Sequence, residues 1–387
     1  MKIGIEAQRL LRSKKHGMDI VALELIKALQ EIDHEHEYVI FTRPGPDAGC
    51  IPEAANFKVK LVDGWSYPYW EQVALPRAVA EEGIDLLHCT NNTAPIFISV
   101  PTVITLHDII YLENKSIIPT GGNLYQNAGN VYRKYVVPSV IKRCSHILTV
   151  SNFERDRIST HFKMEAGRIS TVYNAVGNHF SISSNEDIKE GIRLKYGLPE
   201  KYIFFLGNTA PKKNLKGVLE AFIEYASTSD DPVPLVIADY DQGLLERYLE
   251  NSEKSSISNM IRVLGYVDNT DLPLIYEMAE LFLYPSFRES FGIPILEAMA
   301  CGTPVVTSQT SAMPEIAGGA AYLVDPKSPM DMVKSISDIL QNAVLRESLC
   351  EKGLQRAQQF SWKRSAERVR EVYAALVSEE VVIPVLS

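Results

Sequence analysis

Two glutamates bracket a turn and a helix start in the stretch RESFGIPILEAMACGTPVVTSQTSAMPEIAGGAAYLVD, Arg288 to Asp325. Glu289 precedes the turn Ser290-Phe291-Gly292-Ile293, and Glu297 falls one turn into the helix that follows. Pro294 suits the first helical position, where a missing N–H costs nothing. Gly302 closes the helix, Pro304 prevents its continuation, and Val305-Val306 opens a strand. Backbone N–H groups at a helix start are free to bind an anion, and the helix dipole favours it. A glutamate beside such a site repels phosphate. Two of them therefore point to a ligand that joins phosphates to hydroxyl-rich sugars, with the diphosphate at the helix start and hydroxyls on the carboxylates. A second segment, Gly207-Asn208-Thr209-Ala210-Pro211-Lys212-Lys213-Asn214, follows a strand pattern and precedes a helical one. Cations are unfavourable at a helix start, so an anionic ligand explains Lys213 better than a solvated surface does; for Lys212 the two readings balance.

Taken alone, two glutamates at this spacing fit a surface residue and an ordinary helix residue. The landmarks around them decide otherwise. Glu289, seven residues and Glu297, followed by EAMACGTPVV and PEIAGGAAYLVDP, resembles the retaining glycosyltransferases of family four, which have the GT-B fold. Within that family the chain is similar to the bacterial mannosyltransferase-B type that builds surface polysaccharide. Trp70-Glu71-Gln72-Val73-Ala74-Leu75-Pro76, Thr105-Leu106-His107-Asp108, Val150-Ser151-Asn152-Phe153 and Phe360-Ser361-Trp362 stand in the expected order, so the resemblance covers most of the chain.

The resemblance implies roles. Glu297 would hold the ribose hydroxyls by charge-assisted hydrogen bonds. Glu289 would stand near the transferred hexose, and Phe291, Gly292 and Ile293 would offer backbone N–H groups to sugar or phosphate. Lys213 matches the lysine that meets the departing phosphate, where charge grows in the transition state. Asn208 stands where many relatives carry arginine, and Lys212 is the candidate to supply that charge. Backbone groups of Val267 are the candidates for the nucleobase edge. His107, at a strand end, would help position the transferred sugar. The loop after the first strand departs from the family's two-glycine pattern: Gly17 remains, but Asp19 replaces the second glycine. That loop carries Arg9, Arg12, Lys14 and Lys15, suited to an acceptor phosphate or an anionic membrane face as well as to plain solvent. Trp70 belongs to an aromatic cluster that can stack on sugars or lie in the core.

A chain of 387 residues is long for one domain and comfortable for two. A net charge of -9 argues against a general nucleic-acid partner. Five scattered cysteines without a CxxC suit a reducing cytoplasm, and no apolar run reaches the length of a membrane span. Localisation is expected in the cytoplasm, with peripheral contact at the inner membrane face open. Asp239-Tyr240-Asp241 is read as a solvated loop rather than a metal motif, so neither a metal nor a cofactor is expected.

Short apolar runs alternate with helical patterns throughout, which favours parallel sheets covered on both faces. The expected domains are 1–185, Rossmann-like and acceptor-binding, and 186–361, Rossmann-like and donor-binding. The polar stretch 174–200 is read as the linker, and the helix of about 362–379 as crossing back to the first domain, as in the family. In GT-B proteins two such doubly wound domains face each other across a cleft. The resulting expectation is a retaining transferase that moves a hexose, first of all mannose from GDP-mannose, to a saccharide or lipid-linked saccharide. A sugar-nucleotide epimerase and a non-catalytic sugar-nucleotide-binding subunit are the alternatives.

Overall fold

The computed structural model describes residues 1–15, 17–113, 124–164, 167–207, 210–250 and 255–378. The chain divides into two compact units, Met1–Asn174 with the segment from Trp362 onward, and Ala175–Ser361. Strands of the first unit are β1 (Lys2–Glu6), β2 (Glu37–Thr42), β3 (Phe57–Leu61), β4 (Leu86–Cys89), β5 (Thr102–Thr105), β6 (His146–Thr149) and β7 (Ile169–Thr171). They form one parallel sheet in the order β3-β2-β1-β4-β5-β6-β7. Those of the second unit are β8 (Ile203–Leu206), β9 (Leu235–Ala238), β10 (Ile261–Gly265), β11 (Leu281–Tyr284), β12 (Val305–Ser308) and β13 (Tyr322–Val324). Their order is β10-β9-β8-β11-β12-β13, again all parallel.

Burial on both faces explains the near-continuous apolar strands. In the first unit Ile3, Ile5, Leu86 and Val103 pack under the helices Gly17–Ile32 and Trp362–Ser378, while Phe41, Leu87 and Ile104 line the opposite core. In the second, Ile203, Phe205, Leu281 and Leu283 pack with the helices Leu215–Thr228 and Pro329–Gln341. Phe204, Tyr276, Phe282 and Tyr284 make an aromatic stack on the other face.

The terminal helix Trp362–Ser378 buries Ala366, Val369 and Tyr373 against the first unit. The Tyr373 hydroxyl meets His88 Nδ1 at 2.6 Å, and Arg370 pairs with the buried Asp33 at 3.2 Å. The unit boundary falls before the expected 185/186. Phe180 packs on Tyr276 and the Ser183 amide donates to Glu277, so the chain joins the second unit soon after Asn174. Nor is 174–200 all linker: Glu186–Tyr196 is a helix, capped by the Asn185 side chain and ended by left-handed Gly197. Its polar face masked it, although the Asn cap, the acidic first turn and the closing glycine are ordinary helix signals. No described helix is long and apolar enough to cross a membrane.

Candidate active site

Each sheet reverses strand order once, at β1/β4 and at β8/β11. In wound sheets ligands bind beyond the carboxyl ends of the strands at such points. In the second unit the segments leaving β8 and β11 carry the residues singled out from sequence. After β8 a short turn, Pro211–Lys213, ends on Asn214 in the left-handed region (φ 61°), a conformation asparagine tolerates better than most residues. Buried Asn214 donates from Nδ2 to the carbonyls of Pro285 (3.1 Å) and Pro326 (2.7 Å), and the Phe287 amide donates to the Lys212 carbonyl at 2.8 Å. These bonds lash the lysine turn to the segment after β11.

The result is a charged cluster. Lys213 Nζ lies 2.8 Å from Glu289 Oε1 and Lys212 Nζ 3.5 Å from Glu289 Oε2. Glu289 is 8% exposed. Burial works to raise its carboxyl, but the charges of Lys213 and then Lys212 outweigh it and hold the group below the ordinary range. Lys213 also donates to the Tyr284 hydroxyl and sits 4.6 Å from that ring's centroid. Glu289 is fixed from behind by Ser311, itself left-handed (φ 64°). The Ser311 hydroxyl accepts from the Glu289 amide at 3.1 Å and donates to the Glu289 carbonyl at 2.5 Å.

Gly292 caps the Ile293–Ala300 helix with φ 97°, a backbone that favours glycine. The amides of Gly292 and Ile293 have no intrahelical acceptor at this helix start. Phe291 is buried with its ring 5.9 Å from Phe360, so only its backbone can face a ligand. Half-buried Glu297 projects from one turn into this helix, accepting from the Tyr276 hydroxyl at 3.1 Å. Desolvation pushes its carboxyl up to about 7, against the pull of that bond and of the Lys213 charge. Lys213 is thus felt by both glutamates.

Val267 lies beyond β10, which stops at left-handed Gly265. Its amide donates to the Asp239 carboxylate, so only its carbonyl is left for an edge contact. Exposed Asp239 (φ 58°) is within reach of the Lys213 charge as well. Asn208 lies outside the described residues.

In the first unit, buried His107 is held by two bonds: its amide donates to Asn92 Oδ1 (2.5 Å) and its Nε2 to the Thr90 carbonyl (2.9 Å). Burial lowers its pKa, against the Thr90 bond and the charges of Asp108 and Asp19, so the ring is neutral and Nδ1 carries the lone pair. Gly17 starts its helix in open space, where an added Cβ would meet nothing within 4 Å. The four cations of the loop after β1 do not converge. Arg9 lies over the Tyr67 ring at 5.4 Å, Lys15 pairs with Asp47, and Arg12 and Lys14 are exposed. Trp70 is not an acceptor platform. It is fully buried, its indole N–H donates to the Val62 carbonyl at 2.8 Å, and Gly64 makes room for it. Asn214, Tyr276, Tyr284 and Ser311 were not singled out from sequence, because each acts through a partner distant along the chain.

Two wound parallel sheets, one with a lysine–carboxylate cluster and a glycine-capped helix at its switch point, define the GT-B fold of glycosyltransferases. The pattern "Glycosyl transferases group 1" matches residues 188–356, and "Glycosyltransferase Family 4" matches 16–177. The chain belongs to the glycosyltransferases of family four. It is 35% identical over 231 residues to an O-antigen chain mannosyltransferase B of Escherichia coli, spanning 59% of this chain and 60% of that one. Identity is 26% over 279 residues to a serotype-specific mannosyltransferase of the same organism, of which the match spans 34%. In fold it is similar to Anabaena HepE in complex with UDP-glucose, with a TM-score of 0.72, 17% identity and coverage of 97% and 100% of the two chains.

Proposed function

We propose that this chain transfers a hexose from a sugar nucleotide to a saccharide or lipid-linked saccharide in surface polysaccharide synthesis, with retention of anomeric configuration. GDP-mannose is the proposed donor, in line with the names of the mannosyltransferases it resembles. The observation that carries the reading is the cluster of Lys213, Lys212 and Glu289, with Glu297 sharing the field of Lys213. A diphosphate is the ligand that needs two lysines and the helix start together, and a sugar on each end of it needs the two carboxylates.

In the proposed reaction the bond from the anomeric carbon to the diphosphate breaks. The acceptor oxygen bonds that carbon on the same face, and the acceptor's proton passes to the departing phosphate. Lys213 and Lys212 take up the charge growing on that phosphate, so the step is proposed to run without a metal or other cofactor. Glu289 offsets positive charge on the sugar, and Glu297 holds the ribose. His107 is proposed to position the hexose through its neutral Nδ1. The test is thermal shift against a panel of sugar nucleotides, followed by release of nucleoside diphosphate with glycan acceptors. GDP-mannose should raise the melting temperature most and be turned over. A panel in which none shifts the melting, or in which a donor binds and only epimerises, overturns the reading.

A further inference from the structure

The proposed function leaves the Trp70-Glu71-Gln72 signature idle. The signature lies on a π-helical turn, Trp70–Ala74, a form scarce in proteins and frequent at functional sites. Trp70 fills the core, but Glu71 is a carboxyl only 1% exposed, and four donors converge on it. Its Oε1 accepts from the hydroxyls of Tyr67 (2.9 Å) and Thr93, and its Oε2 from the Tyr132 hydroxyl (2.6 Å) and Gln72 Nε2 (2.9 Å). Burial pushes the Glu71 carboxyl up, against the pull of those four bonds. Gln72 extends the grip. Its Nε2 also donates to the Ala94 carbonyl at 3.1 Å, and its Oε1 accepts from the Ile96 amide at 2.9 Å.

The segment so held follows β4, and a second carboxyl holds its other end. Glu6, at the end of β1, is as deeply buried as Glu71. Its Oε1 accepts from the Gln8 amide (2.9 Å) and Asn91 Nδ2 (3.2 Å), and its Oε2 from Asn91 Nδ2 (3.1 Å) and the Thr90 amide (3.3 Å). Residues 90–96 are thus strung between Glu6 and the Glu71–Gln72 pair. That span supplies both groups that hold His107: the Thr90 carbonyl on Nε2 and Asn92 Oδ1 on the amide. Asn92 itself is left-handed (φ 63°), a backbone that costs energy unless the bonds around it fix it.

An apolar side chain in place of Glu71 would fill the core at less cost, because a buried carboxyl gives up its hydration. What the carboxyl adds is direction. Ionised, it only accepts, so it orders donors from the π turn, the helix Leu124–Arg143 and the segment after β4 into one arrangement. We infer that Glu71 and Gln72 are positioning residues for His107, fixing through Thr93, Ala94 and Ile96 the segment whose Thr90 carbonyl and Asn92 side chain hold the imidazole. The inference deepens the transfer reading, on which it rests for the task of His107.

The test is nitrogen-15 NMR of the histidine rings in the full chain, read beside turnover of GDP-mannose with a lipid-linked saccharide, in Glu71→Gln and in the milder Thr93→Val. In the wild type the His107 ring should show a protonated Nε2 and a bare Nδ1, two well-separated resonances, because a carbonyl can only accept from Nε2. In both variants the two resonances should draw together as the cradle loosens. Tyr38→Phe removes a bond to Asp33 at the opposite strand ends, so it should lower stability and leave the His107 resonances in place. Thr93→Val should lower kcat at least about tenfold, since a small misplacement of a positioning group is felt in the transition state. In a His107→Ala background it should lower kcat no further, because the two changes act through one group. Resonances unmoved in both variants, or moved as much by Tyr38→Phe, would mean that the network only seals the core, and the inference falls. It falls as well if the kcat losses of Thr93→Val and His107→Ala simply multiply, or if only His107→Ala loses activity. Full turnover in His107→Ala with the resonances still moving in both variants would instead remove His107 from the transfer reading and leave its positioning by Glu71 standing.

Discussion

Replacing Lys213 by alanine separates the two tasks assigned to this side chain. Lys213 is the nearer cation of a buried carboxylate, at 2.8 Å from Glu289 with side-chain exposures of 15% and 10%. Removing one partner of a buried pair costs about 3–5 kcal/mol. Lys212 remains at 3.5 Å but is 42% exposed, so the loss should fall near the lower end, about 3 kcal/mol. The loss should depend on pH. The folded protein holds Glu289 below its ordinary 4.5, so the stability from this pair is present above that value and fades as pH falls through the depressed one. The Lys213→Ala deficit in melting temperature should thus be full at neutral pH and shrink in acid. Adding Glu289→Gln should restore much of the stability, because no buried charge is left uncompensated. Catalysis should not recover. Charge on the departing phosphate grows in the transition state, so kcat should drop at least about a hundredfold with little change in donor affinity. The assay is single-turnover release of GDP from GDP-mannose beside calorimetric donor binding. Weaker donor binding with an unchanged kcat would refute the leaving-group role, and a deficit independent of pH would refute the ion-pair account.

Glu297→Ala should cost roughly 1.5–3 kcal/mol of donor affinity by calorimetry and abolish the preference for a ribose over a deoxyribose donor; retained preference would remove Glu297 from the ribose. Because its carboxyl is pushed up to about 7 and the hydroxyls need the ionised form, donor affinity should rise with pH through neutrality in the wild type and stay flat in Glu297→Gln. Glu6, also raised by burial from 4.5 to about 7, should withdraw stability as pH rises across that interval, by about 3 kcal/mol in all. Thermal melts of Glu6→Gln should therefore vary less between acid and neutral pH than those of the wild type. Turnover should persist after dialysis against EDTA and in the Asp239→Asn, Asp241→Asn double variant; loss on chelation with rescue by magnesium would require a metal after all.

Most strand positions were legible because the central strands are buried on both faces and read as apolar runs, whereas the edge strand β3, FKVKL, is largely exposed. The turn at Gly292 was legible because glycine, proline and the helix pattern fall within a few residues of one another. Partnership across the sheet was not. Nothing near Asn214 in the chain shows that its amide will grip Pro285 and Pro326, or near Ser311 that its hydroxyl will hold the Glu289 backbone. Trp70 misled in the opposite direction: an aromatic cluster suggests a stacking platform, but only the fold shows that the indole fills the core beneath Gly64. The basic loop looked like one patch because four cations fall within seven residues, yet its turns send Arg9 to Tyr67 and Lys15 to Asp47. Glu6 drew no notice, since a strand-end glutamate has no local signal for being buried beneath three N–H donors.

The central claim is that a sugar leaves a nucleotide diphosphate and joins an acceptor on the same face. It is tested most directly by NMR of the product formed from GDP-mannose labelled with carbon-13 at the anomeric position, supplied with a lipid-linked saccharide. The account predicts a new labelled glycoside whose anomeric carbon keeps the donor's α configuration, formed by the wild type and lost in Lys213→Ala. A β-linked product, or labelled free sugar with no glycoside, would contradict it.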